Sequence, residues 1–240
     1  MTPPHRAPAR VIAVVGMHRS GTSCLTGSLQ RAGLALGEVH EWNRYNLKGN
    51  RENQAVVDLN DEVLAANGGS WDRPPRRVHW SAGHKARARE ILAALADAPV
   101  AGFKDPRTLL AIDGWLDVYP AMEFVGVFRH PAAVAASLAN RSGMERKAAH
   151  GLWQCYNRRL LALRRGRGFP LVDFDVDARS YRATVEGLAR ELGLDAAGVA
   201  DEPFFEEGLR KARGDDRLPL ALRWLHGRLR RGARATTSGT

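Results

Sequence analysis

The sequence predicts one α/β domain of three layers, with helices covering both faces of a central parallel sheet. Three observations carry this expectation. Short apolar, β-branched runs alternate with longer segments of helical periodicity, the order that builds parallel sheets. The apolar runs are continuous rather than alternating, as expected of strands buried on both faces. The chain has 240 residues, 44% of them hydrophobic, which suits one sizeable core and not two.

The elements follow in order. Residues 1–10 hold three prolines and no periodicity, which predicts a loose tail. Residues 11–16 form an apolar run ending in glycine, the first strand. Residues 22–32 are helical, with Leu25 and Leu29 at i, i+4 spacing, and Gly33 ends the helix. Residues 37–50 are polar and punctuated by Gly and Asn, a surface loop. Residues 52–66 read as a helix with Val56, Leu59, Val63 and Leu64 on one face, broken by 68–75. A further helix covers 82–97.

Residues 99–103 are the second strand and 109–119 the next helix. Residues 122–128 are the clearest strand. Pro131 then stands just inside a helix, where its missing N–H costs nothing. A basic helix spans 146–166, a fourth strand 171–174, and a helix 180–192 stops at Gly193. The remainder is helical and basic to about residue 234. No internal repeat or linker divides the chain, so a single domain of 11–234 is expected between tails 1–10 and 235–240.

The formal net charge is +10, which favours anionic partners: nucleotides, nucleic acid, acidic glycans or a membrane surface. Cys24 and Cys155 lie far apart and lack metal-ligand spacing, which predicts two reduced, buried thiols. The run 11–15 is too short for a signal-peptide core, and no stretch has the length of a transmembrane helix. The expected compartment is the cytoplasm.

The segment Gly16-Met17-His18-Arg19-Ser20-Gly21-Thr22-Ser23 joins the first strand to the first helix. Such a loop wraps an anion: backbone N–H groups point inward and the helix N-terminus adds positive potential. The spacing is that of a Walker phosphate loop, but Thr22 stands where the Walker lysine would be. That argues against an ATPase or an ordinary kinase, and Arg19 supplies the positive charge instead. A bare structural turn is the competing reading. After the third strand come Arg129-His130-Pro131 and, within the following helix, Ser137. The arginine stands at a strand's carboxyl end, where open α/β sheets bind ligands. Alone, it reads equally as a surface residue.

Together these motifs resemble the sulfotransferases that use 3′-phosphoadenosine 5′-phosphosulfate (PAPS). The resemblance rests on Arg19-Ser20-Gly21-Thr22-Ser23, on Arg129 with Ser137, and on Lys104-Asp105-Pro106-Arg107. It also takes in Gly69-Ser70-Trp71-Asp72, Leu152-Trp153 with Tyr156-Asn157, and Leu171-Val172-Asp173-Phe174. It covers about residues 11–195 and is nearest to a bacterial branch with a P-loop-like fold. It implies PAPS as co-substrate, with no metal. His18, Arg19, Ser20, Gly21, Thr22 and Ser23 would hold the 5′-phosphosulfate, and Arg129 with Ser137 the 3′-phosphate. The glycine-rich carboxyl-terminal motif of cytosolic animal members is not visible.

The implied chemistry is an in-line displacement in which positioning and charge stabilisation dominate. Arg19 would stabilise charge on the leaving oxygen, and a base must take the acceptor's proton. Glu52 is the first candidate, in a segment resembling the family's Gly-x-x-Glu. It reads equally as the complement of a helix N-terminus. Asp105 is the second, with the alternative that it only orients Lys104 or Arg107. His18 and His40 are polar loop residues that could serve, and Trp71 and Trp153 read as packing anchors. The acceptor is expected to be a small molecule or glycan bearing a hydroxyl or amine. No nucleic acid is expected as partner, since the basic stretches lack interleaved aromatics. A nucleotide kinase and a non-enzymatic anion- or nucleic-acid-binding module are the competing readings.

Overall fold

The computed structural model describes residues 8–39, 49–200 and 218–237. Most of the expected loop 37–50, with His40, lies outside them, as do tail residues 1–7 and 238–240 and much of the basic segment before residue 218.

Four strands form one parallel sheet: β1 (Val11–Val15), β2 (Ala101–Lys104), β3 (Glu123–Phe128) and β4 (Leu171–Asp173). Their order is β2-β1-β3-β4. The helices among the described residues are α1 (Thr22–Arg31), α2 (Gln54–Ala66), α3 (Ala82–Ala93), α4 (Thr108–Val118), α5 (Pro131–Ser142), α6 (Arg146–Arg167), α7 (Ala178–Glu191), the short α8 (Ala197–Ala200) and α9 (Leu220–Thr237). The three-layer α/β/α expectation holds. β1 lies inside the sheet because it is apolar towards both layers. Val11, Ala13 and Val15 join Phe124, Phe128, Trp115 and Trp153 in one core. Ile12 and Val14 join Leu25, Leu29, Val125, Val127 and Val185 in the other. The two-residue period of a strand sorts them. Each fully buried Leu or Val contributes about 1.5–3 kcal/mol.

The order places a topological switch between β1 and β3. A chain that steps from β1 to β2 on one side must jump back across to β3 on the other, and the crevice opens at the strands' carboxyl ends. Both sequence motifs emerge there.

Several boundaries differ from expectation for local reasons. α2 begins at Gln54, because the Asn53 side chain accepts hydrogen bonds from the N–H groups of Ala55 and Val56 at 3.0 and 3.4 Å. Glu52 therefore precedes the helix instead of opening it. α9 continues to Thr237, through residues expected as tail. Arg10, expected in the other tail, holds Glu123 with two bonds of 2.7 Å and donates to the Leu192 carbonyl at 2.8 Å. Neither Cys24 nor Cys155 is in a disulfide, and both are half-buried rather than buried. Among the described residues no helix is long and apolar enough to cross a membrane.

Candidate active site at the strand ends

The chain leaves β1 at Gly16, where a Cβ would come within 2.4 Å of the Val127 carbonyl oxygen. Only glycine lets the loop pass β3 so closely. Arg19 then takes a positive φ of 65° and Gly21 one of 89°. A Cβ on Gly21 would lie 2.2 Å from the Phe174 ring. Gly21 caps α1 with no side-chain hydrogen bond, so the first-turn amides of α1 have no intrahelical acceptor and face the loop. The buried Ser20 hydroxyl also finds no hydrogen-bond partner among the described residues. Unmatched donors gathered at a helix N-terminus form an anion cradle.

Arg129 follows β3 directly. The Trp153 indole N–H donates to its carbonyl at 3.0 Å and fixes the backbone there. The guanidinium lies 5.5 Å from the Phe174 ring centroid and its Nε lies 3.5 Å from Asp175. His130 caps α5, its Nδ1 accepting from the Ala132 N–H at 3.3 Å, and Pro131 takes the first helical position. Ser137 on α5 accepts a hydrogen bond from Arg19 Nε at 2.8 Å. Two motifs separated by more than a hundred residues thus meet. Burial lowers the Arg19 pKa from its ordinary value, and the nearby Arg141 and Arg129 lower it further. Arg19 and Arg129 therefore stand together at the switch crevice, with the exposed Arg141 near enough to repel Arg19.

At the end of β2 the charges are arranged differently. Lys104 is fully buried, yet its ammonium donates to Glu52 at 2.6 Å and to the Ser23 hydroxyl at 3.2 Å. Burial lowers its pKa, opposed by Glu52. Asp105 is also fully buried. It accepts from Arg107 Nη1 and from Asn60 Nδ2, both at 2.8 Å. Asn60 in turn accepts from the Trp115 indole at 2.9 Å. Burial pushes the Asp105 carboxyl up to about 6, with Arg107 opposing. Arg107 also pairs with Asp61 at 2.6 Å.

His18 sits between these groups. Its ring lies 4.7 Å from Trp71 and 6.0 Å from Tyr156, whose hydroxyl donates to the Trp71 carbonyl at 2.9 Å. Burial, followed by Arg107, Lys104, Arg141 and Arg19, drives its pKa well below the ordinary value, so the imidazole is neutral.

The structure brings His18, Arg19, Ser20, Gly21, Thr22 and Ser23 beside Ser137 and Arg129, and carries Glu52 and Asp105 to the same end of the sheet through Lys104 and Arg107. Asp105 has no exposed surface and is spent on Arg107 and Asn60, which suits an orienting role. Glu52 keeps about 15% of its side chain exposed beside Lys104. Trp153 is a packing anchor as expected. Lys104, Arg141, Asp175 and the ring of Phe174 were given no separate role by the sequence. Arg141 could have been found from its i+4 spacing to Ser137. The reach of Lys104 to Ser23 has no local signal. Among the described residues no group of His, Cys, Asp and Glu is arranged to hold a metal.

No protein-family model matches the sequence, and no curated protein matches it. Solved structures do resemble it. The sulfotransferase domain of the olefin synthase of Synechococcus PCC 7002 is 18% identical, with a TM-score of 0.59, over 96% of this chain and 98% of that one. The sulfotransferase STF1 of Mycobacterium tuberculosis H37Rv is 18% identical, with a TM-score of 0.49, over 88% of this chain and 78% of that one. The first likeness shows that this chain has a sulfotransferase fold.

Proposed function

We propose that this chain is a sulfotransferase that moves the sulfuryl group of PAPS to a hydroxyl or amine of a small-molecule or glycan acceptor. The observation that carries the reading is the 2.8 Å bond from Arg19 to Ser137, which joins the phosphate loop to the helix after Arg129 in one cationic crevice. PAPS carries anionic groups at both ends, and a crevice with guanidiniums from two strand ends suits that charge. The acceptor oxygen or nitrogen attacks sulfur while the bond from sulfur to the 5′-phosphate oxygen breaks. The electron pair leaves on that oxygen, which Arg19 and the α1 N-terminus stabilise. The acceptor's proton goes to Glu52, which must first loosen its bond to Lys104. No step needs a metal. Arg19 and Ser137 belong to opposite ends of the donor in this reading, so donor binding exchanges their mutual bond for bonds to the 5′ and 3′ groups. The location proposed is the cytoplasm, since two cysteines outside any disulfide suit a reducing compartment.

The test is transfer from labelled PAPS to a panel of phenols, sugars and amines, with 3′,5′-adenosine bisphosphate measured as the co-product. Acceptor-dependent formation of both labelled product and bisphosphate is expected. ATP consumption with magnesium and no use of PAPS would replace this reading with that of a nucleotide kinase.

A further inference from the structure

Among the described residues the large hydrophobic side chains left exposed are Leu220 and Trp224, at 79% and 60% exposure. They lie one turn apart on the same helix, α9. The opposite face of that helix is fully engaged: Leu222, Leu225 and Leu229 are buried in the core. Periods of three and four residues carry the outward line on from Leu220 and Trp224 through Gly227 to Arg231. Arg223 and Arg231 are exposed along this line, and the Arg228 guanidinium lies 4.8 Å from the Trp224 ring centroid. Arg230 is turned aside to Asp173 at 3.5 Å. α9 contains Arg223, Arg228, Arg230, Arg231 and Arg234 and no carboxylate. The helix tied to it, α6, contains Arg146, Lys147, Arg158, Arg159, Arg164, Arg165 and Arg167, again with no carboxylate. Arg164 Nη2 makes the tie, donating to the Gly232 carbonyl at 3.2 Å.

We propose that the outward face of α9 docks flat on a membrane leaflet containing anionic lipid, with Leu220 and Trp224 in the headgroup–acyl boundary and Arg223, Arg228 and Arg231 on the phosphates and carboxylates above them. Two features choose a bilayer over a soluble polyanion. A polyanion satisfies the arginines and leaves Leu220 and Trp224 in water, whereas an interface takes up both kinds of side chain. Tryptophan also prefers that boundary, its ring apolar and its N–H wet. The outward line from Leu220 to Arg231 is about 18 Å long at 1.5 Å per residue, three turns of helix lying in the plane. The carboxylate-free α6 beside it adds long-range attraction to the same surface. This inference is independent of the chemistry proposed for the crevice.

The test is sedimentation of the full chain with vesicles of phosphatidylcholine alone and of phosphatidylcholine mixed with phosphatidylserine. Binding to the mixed vesicles only, weakening as salt rises, is expected. The pair Leu220→Ser and Trp224→Ser should weaken it at least about tenfold by removing the apolar contact. The pair Arg223→Gln and Arg231→Gln should weaken it by on the order of tenfold or more. All four side chains are exposed, so Tm should stay at the wild-type value. Brominated lipid should quench wild-type fluorescence and should lose most of that effect in Trp224→Phe. Binding to heparin or duplex DNA but to neither vesicle would overturn the proposal in favour of a polyanion. A lowered Tm, or loss of self-association, in the Leu220/Trp224 pair without vesicle binding would overturn it too, because the face would then be covered by this chain or a second copy.

Discussion

β1 and β2 are hydrogen-bonded neighbours, yet their carboxyl ends are built on opposite plans. After β1 the chain offers backbone: Gly16, Gly21 and the uncapped start of α1, with one strong cation, Arg19. Among the described residues Arg19 has a hydroxyl partner, Ser137, and no carboxylate. After β2 the chain offers side chains, and their charges are matched. Lys104 has Glu52, and Arg107 has both Asp105 and Asp61. The β1 end keeps a net positive field and can bind an anion. The β2 end is close to neutral and can hold groups in place without competing for the donor. Cation count alone would not separate them; pairing does.

Glu52 stands across the two plans: it sits on the β2 side but is proposed to act on the acceptor. Glu52→Gln should keep PAPS affinity and lose turnover by about 10²–10⁴, the range for a missing general base. Wild-type turnover in that variant would leave Glu52 as the counter-ion of Lys104 only, and Asp105→Asn would be the next variant to assay. Arg19→Ala should lower turnover by about 10²–10³ with a smaller loss of PAPS affinity, since its charge matters most as the bond to the leaving oxygen breaks. Equal losses in turnover and affinity would make it a binding residue. Arg129→Ala should weaken 3′,5′-adenosine bisphosphate about ten- to a hundredfold and 5′-AMP much less.

The smallest expected effect lies outside both strand ends. His226 on α9 packs 4.9 Å from His130, and burial, with His130 adding, lowers its pKa to about 4. The folded state then binds fewer protons than the unfolded chain below about 6.5. The stability it contributes is full above that pH and is lost as pH falls towards 4. His226→Gln should flatten Tm against pH across this window. Asp105 acts in the opposite sense: its carboxyl is raised to about 6, so its contribution falls as pH rises from the ordinary carboxylate range through 6. An unchanged pH profile in His226→Gln would show that His226 does not titrate there.

The strands and most helices were legible because their signals are local. β1 is a five-residue apolar run, Pro131 takes the first position of α5, and the left-handed Gly33 and Gly193 stand just past the ends of α1 and α7. The crevice was legible in part, since both motifs stand next to strands and the carboxyl ends of a parallel sheet share one side. Long-range pairings were not legible. Nothing near Lys104 in sequence says that its ammonium reaches Ser23 and Glu52, because β2 meets β1 only through sheet register. The cap at Asn53 likewise sets the start of α2 at Gln54, two residues after the expected one, and leaves Glu52 to Lys104. The exposure of Leu220 and Trp224 was hidden because a basic amphipathic pattern does not say which face a neighbour covers.

On the proposed function, the Arg19–Ser137–Arg129 crevice reads a nucleotide phosphorylated at both its 3′ and 5′ positions. Calorimetric titration of the wild-type chain with 3′,5′-adenosine bisphosphate, 5′-AMP and ATP tests it most directly. The bisphosphate should bind at least about tenfold more tightly than 5′-AMP, the worth of one charge-assisted contact, and Arg129→Ala should remove most of the difference. Equal affinity for the bisphosphate and 5′-AMP, or tighter binding of ATP with magnesium, would contradict it.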